Sequence, residues 1–180
     1  MPPATDTTIP SAASTQSILC GLFRAYMDLA TEQVVVYNQK WLIPSDDRLY
    51  ICVSAVGPQK TYGATVETEL TEDRTGLEET VAVNTQEAIG VDVYSSSQDA
   101  VDRKEELLMA LSSTAAQQLA EKYALRIAQV PLTFADLSGL EGTARLNRFH
   151  LSFIVLRTRS KTKVIESFDK FQKPALTLNP

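Results

Sequence analysis

Residues 81–94, VAVNTQEAIGVDVY, alternate in a way only a strand can use. Val81, Val83, Thr85, Glu87, Ile89, Val91 and Val93 fall on one face; Ala82, Asn84, Gln86, Ala88, Gly90 and Asp92 fall on the other. The pattern holds for about 14 residues, roughly 46 Å of extended chain, where strands commonly have about five or six. Such a strand outruns an ordinary sheet. The expectation is that its first part leaves the body as one arm of a hairpin and that residues 89–94 belong to the main sheet. A bulge or bend at residues 87–90 is expected to join the two parts.

The preceding segment, KTYGATVETELTEDRTGLEET, supplies the other arm. Ala64, Val66, Thr68 and Leu70 alternate, and Gly76 marks a turn. Glu67, Glu69, Glu72, Asp73, Glu78 and Glu79 face a single Arg74, so the projecting β-hairpin has an acidic tip.

The rest reads as one α+β domain. TQSILCGLFRAYMDLA has Ile18, Leu22, Ala25 and Leu29 on one helical face, with Thr15 or Ser17 as cap. QVVVYNQKWLIP is a strand or strand-like connection. RLYICVSAVG is apolar on both faces, as an interior strand should be, and stops at Gly57-Pro58. SSSQDAVDRKEELLMALSSTAAQQLAEKY is a helix of about 24 residues, roughly 36 Å. Its cap is Ser96 with Asp99 or Ser95 with Gln98, its apolar stripe is Val101, Leu108, Leu111, Ala115 and Leu119, and Ser112-Ser113-Thr114 can bend it. LRIAQVP is a short strand and ARLNRFHLSFIVLRTRSK a second long one. The fold class is therefore α+β, a mainly antiparallel β-sheet with a long helix and an N-terminal helix packed on it. The domain spans residues 15–170. Residues 1–14 and 171–180 are expected to be flexible arms, either plain tails or segments that order on a partner.

Composition excludes several functions. A net charge of −5 and a pI near 4.9 argue against coating nucleic acid. Cys20 and Cys52 form no metal or redox motif and read as small apolar residues of a reducing compartment. No apolar run nears the ~20 residues of a membrane helix. MPPATDTTIPSAAST lacks a secretory signal's basic and apolar regions, so the chain is expected to be made and kept in a cytoplasm. No phosphate-binding glycine loop or nucleophile elbow occurs. His150, alone in mid-strand, reads as a sheet residue rather than a base, and T-E-D-R-T-G-L-E-E lacks the alternation of a calcium loop. No catalytic residue, metal ligand or cofactor is expected.

Charge is nonetheless segregated. Residues 145–173 carry Arg145, Arg148, Arg157, Arg159, Lys161, Lys163, Lys170 and Lys173 against Glu166 and Asp169. This is either a solvated face or one side of a subunit contact. In the second reading Glu67, Glu69, Glu72 and Asp73 of one copy meet Arg157, Arg159, Lys161 and Lys163 of the next, a head-to-tail contact that can close into a ring.

The order of elements resembles the tail terminator, or neck, proteins of long-tailed bacteriophages. The resemblance rests on V-x-V-N-T-Q-E-A-I-G-V-D-V-Y, S-S-x-D-A-x-D-R-K-E-E-L and R-F-H-L-S-F-I-V-L, which stand at residues 81–94, 96–107 and 148–156, and it covers residues 17–168. It implies a structural virion protein with no catalytic residues, a homohexameric ring that caps the tail tube and joins it to the head-side connector. The partners it implies are the tube protein, the connector protein and genomic DNA passing through the lumen without sequence-specific binding. Assembly would occur in the host cytoplasm, and no membrane is involved. On this resemblance Asn84, Gln86 and Asp92 face the lumen or a neighbouring subunit. Alternatives are a head-closure or other connector-ring protein, or a small monomeric α+β enzyme or ligand-binding module.

Overall fold

The computed structural model describes residues 13–37, 44, 46–71, 76–130, 133–141 and 144–165. The expected arms at residues 1–14 and 171–180, all but Ala13 and Ser14 of them, and Glu72 and Asp73, lie outside the described residues. Helix α1 (Thr15–Tyr26) leads through a 3-10 turn to β1 (Val34–Val36), β2 (Tyr50–Ala55), β3 (Lys60–Leu70) and β4 (Leu77–Ser95). Then come α2 (Asp99–Arg103), α3 (Glu105–Ser112), α4 (Thr114–Lys122), β5 (Leu125–Ile127), β6 (Ala135–Asp136), β7 (Gly139–Glu141) and β8 (Ala144–Ile165). The class is α+β with a mostly antiparallel sheet; β1 and β2 alone run parallel among these pairs.

Sheet order is β1-β2-β4-β8-β5, with β3 also on β4 and β6 and β7 on β8. β2 is interior, as its apolar faces require. β4 has 19 residues and β8 has 22, and they pair without a register shift from Leu77↔Ile165 to Ser95↔Asn147. The expected bulge at residues 87–90 is absent. The irregularity sits at Thr61/Gly63 in β3 instead. β4 has ladders on both sides, so an extra residue there would disrupt two, whereas β3 is an edge strand and disturbs one.

The helices cover one face of the sheet. Ile18, Leu19, Leu22 and Phe23 of α1 and Leu107, Ala110 and Leu111 of α3 are buried against Ile51, Val53, Ile89, Val91, Val93, Leu151, Phe153 and Val155. The α1 cap is Ser14 rather than Thr15 or Ser17; its Oγ accepts the Ser17 N–H at 3.1 Å. Ala13, just before it, packs against the core.

The long helix is broken rather than bent. Ser113 adopts an extended conformation, and its Oγ accepts the Ala116 N–H at 3.2 Å, so it caps α4. At the front, Ser97 Oγ accepts the Asp99 N–H and Ser95 Oγ the Ser97 N–H; neither expected capping box forms. The buried stripe is Ala100, Leu107, Ala110, Leu111 and Ala116, with Val101, Leu108 and Leu119 only flanking it and Ala115 exposed. Leu107→Ala should accordingly destabilise the domain by about 2–5 kcal/mol, and Leu108→Ala by clearly less. Urea titration of both variants checks the order; equal losses would mean the stripe is misassigned.

Candidate functional site

Two features stand outside the core: the far end of the sheet and its helix-free face. β2 and β3 occupy the same side of β4, β2 against residues 89–94 and β3 against residues 77–86. Gly57, at φ 95°, turns the chain between them; that left-handed backbone favours glycine. On the other side β8 follows β4 to Ile165, while β5 leaves β8 at Arg157. Beyond that point three strands continue with no layer on either face among the described residues. The projecting element is thus a three-stranded arm, not a free hairpin.

Its acidic and basic segments are neighbours within one chain. Glu79 is opposite Lys163, Val81 opposite Lys161 and Val83 opposite Arg159. Residues directly opposite in an antiparallel pair share a face. The helix-side face of the arm thus carries Arg159, Lys161 and Lys163 beside Ala64, Val66, Leu70, Leu77, Val81 and Val83, with Glu79 the one acid there. The open face carries Glu67, Glu69 and Glu78 with Thr65, Thr80, Ala82, Asn84, Thr162 and Val164. Glu67, Glu69, Glu78 and Thr80 line one shallow depression. Val66, Leu70 and Val164 are 60%, 65% and 70% exposed.

Arg157 does not belong to this surface. It is 2% exposed, and its Nη1 donates to the Ala13 carbonyl at 2.8 Å while Thr85 Oγ1 donates to its carbonyl at 3.1 Å. It points to the helix side where helices still cover the sheet, so burial reverses the role its charge implies. Burial, then Arg159, pushes its pKa down, and Glu87 opposes that. Arg159 Nη2 lies 3.8 Å from Glu87 Oε1.

Asn84, Gln86 and Asp92 share the open face. Asn84 Oδ1 accepts from Thr158 Oγ1 at 2.8 Å. Asp92 Oδ1 is 3.1 Å from both Arg148 Nε and His150 Nδ1. Sequence reasoning left this cluster unassembled, because its members lie 56 and 58 residues apart in the chain. Gly90 makes it possible: a Cβ there would stand 2.6 Å from Val56, 2.9 Å from the His150 ring and 3.0 Å from Ser54 Oγ. Ser54 Oγ itself donates to the Gly90 carbonyl at 3.3 Å. A cleft of about 420 Å³ beside the cluster is lined by Tyr37, Cys52, Ser54, Ala55, Asp92, Tyr94 and Arg148.

A scan against protein-family models and a search of curated proteins both find no match to the chain. Among the described residues no group of three or more His, Cys, Asp or Glu side chains is placed to hold a metal ion, and no helix is long and apolar enough to cross a membrane.

Both cysteines are buried and free. Burial pushes the Cys20 thiol up to about 11 and the Cys52 thiol to about 12, the latter helped by the Asp92 charge. The native protein should therefore leave both thiols unmodified by an aromatic disulfide reagent at neutral pH, and release two equivalents once denatured. Rapid reaction of either thiol in the native state would mean that its cover opens readily.

Proposed function

We propose that this chain is a structural virion protein, a ring subunit that terminates a phage tail tube and joins it to the head-side connector. The observation that carries the reading is the arm. β3 is exposed along all of its 11 residues, and Val66, Leu70 and Val164 stand in water on the part of the sheet that no helix covers among the described residues. An isolated sheet segment with exposed apolar side chains gains stability when another surface covers it. The phage-neck resemblance of residues 81–94, 96–107 and 148–156 supplies the role. Subunits arranged as a ring would turn the polar open face, with Asn84, Gln86 and Asp92, toward a lumen or a neighbour.

Sedimentation together with electron microscopy of the purified chain tests this reading. Rings, and antibody label at the head–tail junction of particles, are the expected results. A chain that stays monomeric at every concentration overturns it. A second reading, a ligand-binding module, draws on the cleft beside Asp92, Arg148 and His150. A stable monomer carrying a small molecule in native mass spectrometry would favour that reading.

A further inference from the structure

The two faces of the arm carry opposite charge. Arg159, Lys161 and Lys163 outweigh Glu79 on the helix-side face, and Glu67, Glu69 and Glu78 stand on the open face. None of Lys161, Lys163, Glu67, Glu69 and Glu78 forms an ion pair with another described residue. Each face also offers apolar surface, Val66, Val81 and Val83 on one and Ala82 and Val164 on the other.

We infer that the arm docks face to face on the arm of a second copy of this chain, the basic helix-side face of one against the acidic open face of the next. The inference rests on the ring reading above and specifies its contact. Two-fold pairing is disfavoured, because it would set like charge on like charge across either face. The favoured contact uses different surfaces on the two partners, so it is heterologous and propagates until a rotation closes it. Sheets stack about 10 Å apart, within reach of lysine and glutamate side chains from facing strands.

Size explains why a ring is needed. Residues 77–84 run roughly 27 Å, and three strands span about 14 Å, so each face offers on the order of 400 Å². One stacked contact then buries about 800 Å² counting both partners, below the ~1,200 Å² of stable pairs. A dimer held only by this contact would be weak. A closed ring, in which every arm uses both faces, has no unsatisfied end.

Charge exchange tests the inference. One variant is Lys161→Glu with Lys163→Glu; the other is Glu67→Lys with Glu69→Lys. All four positions are exposed, so circular dichroism should match wild type and confirm that each variant folds. Each alone should sediment as monomer, with association weakened at least about tenfold at physiological salt. Mixed in equal amounts they should assemble again, because the acidic faces of one meet the basic faces of the other. Two results overturn the inference while leaving the ring reading intact: wild-type rings with both variants still assembling alone, or a mixture that stays monomeric. A wild-type chain that never assembles overturns both.

Discussion

A chain in which residues 67–78 are replaced by a short Gly-Ser link keeps its thermal midpoint within a few degrees of wild type and forms no rings. The core is built elsewhere: Ile51, Val53, Ile89, Val91, Val93 and Val155 are all fully buried, and each lies outside the replaced segment. Glu67 to Leu70 are exposed, and Leu77 is only partly covered. Removing them withdraws little apolar surface from shelter, about 1 kcal/mol at the usual coefficient. Closing the shorter loop adds only a small entropy term. Strand β8 keeps its ladder with β4 through residues 79–84, so the remaining stub stays paired. What disappears is Glu67, Glu69 and Glu78, and with them the acidic patch of the open face. Differential scanning calorimetry and sedimentation on one preparation check both halves. Unfolding of the variant would make the arm part of the core. Normal rings would make it an ordinary surface extension.

Arg157→Ala should destabilise the domain by about 3–5 kcal/mol, through the cavity it leaves and the carbonyl it orphans, and Arg159→Ala, whose side chain stands largely in water and reaches Glu87 only at 3.8 Å, should cost less. The two residues are two apart on one strand face, and coverage alone separates them. Arg157 is 2% exposed, whereas the Arg159 side chain is 41% exposed. Truncating Arg157 removes its bond to the Ala13 carbonyl, which ties the start of α1 to β8. Glu87, 7% exposed, keeps its ion pair with Arg159 at 3.8 Å but loses a second positive charge nearby. The double variant Arg157→Met, Glu87→Gln keeps the volume and removes both charges, so it should recover most of the loss. Chemical denaturation of the three variants measures this. An unchanged midpoint for Arg157→Ala would mean that the guanidinium reaches water.

Local pattern carried much of this fold. The alternation of residues 81–94 named the central strand, the doubly apolar RLYICVSAVG named an interior neighbour, and the spacing of Ile18, Leu22, Ala25 and Leu29 named the first helix, although Ala25 is exposed. These are properties of period two and period 3.6, which a chain displays whatever it packs against. Charge segregation between the residue 67–79 segment and the residue 157–163 segment was equally visible. Some boundaries were not, because the signals that mark them are missing. Asp28 and Ala124 take positive φ just beyond α1 and α4, where glycine would have announced the stop.

Tertiary structure alone decided which surfaces these patterns became. β8 runs beside β4 to Ile165, which sets the basic segment on the same arm as the acidic one, back to back rather than on separate edges. The same placement puts Arg157 under the helices and leaves Lys161 and Lys163 in water. It also gathers Asp92, Arg148 and His150 over Gly90. Periodicity says which side chains share a face of a strand. Whether that face meets a helix, a neighbouring subunit or solvent depends on pairing between strands more than 50 residues apart, and no local spacing records it.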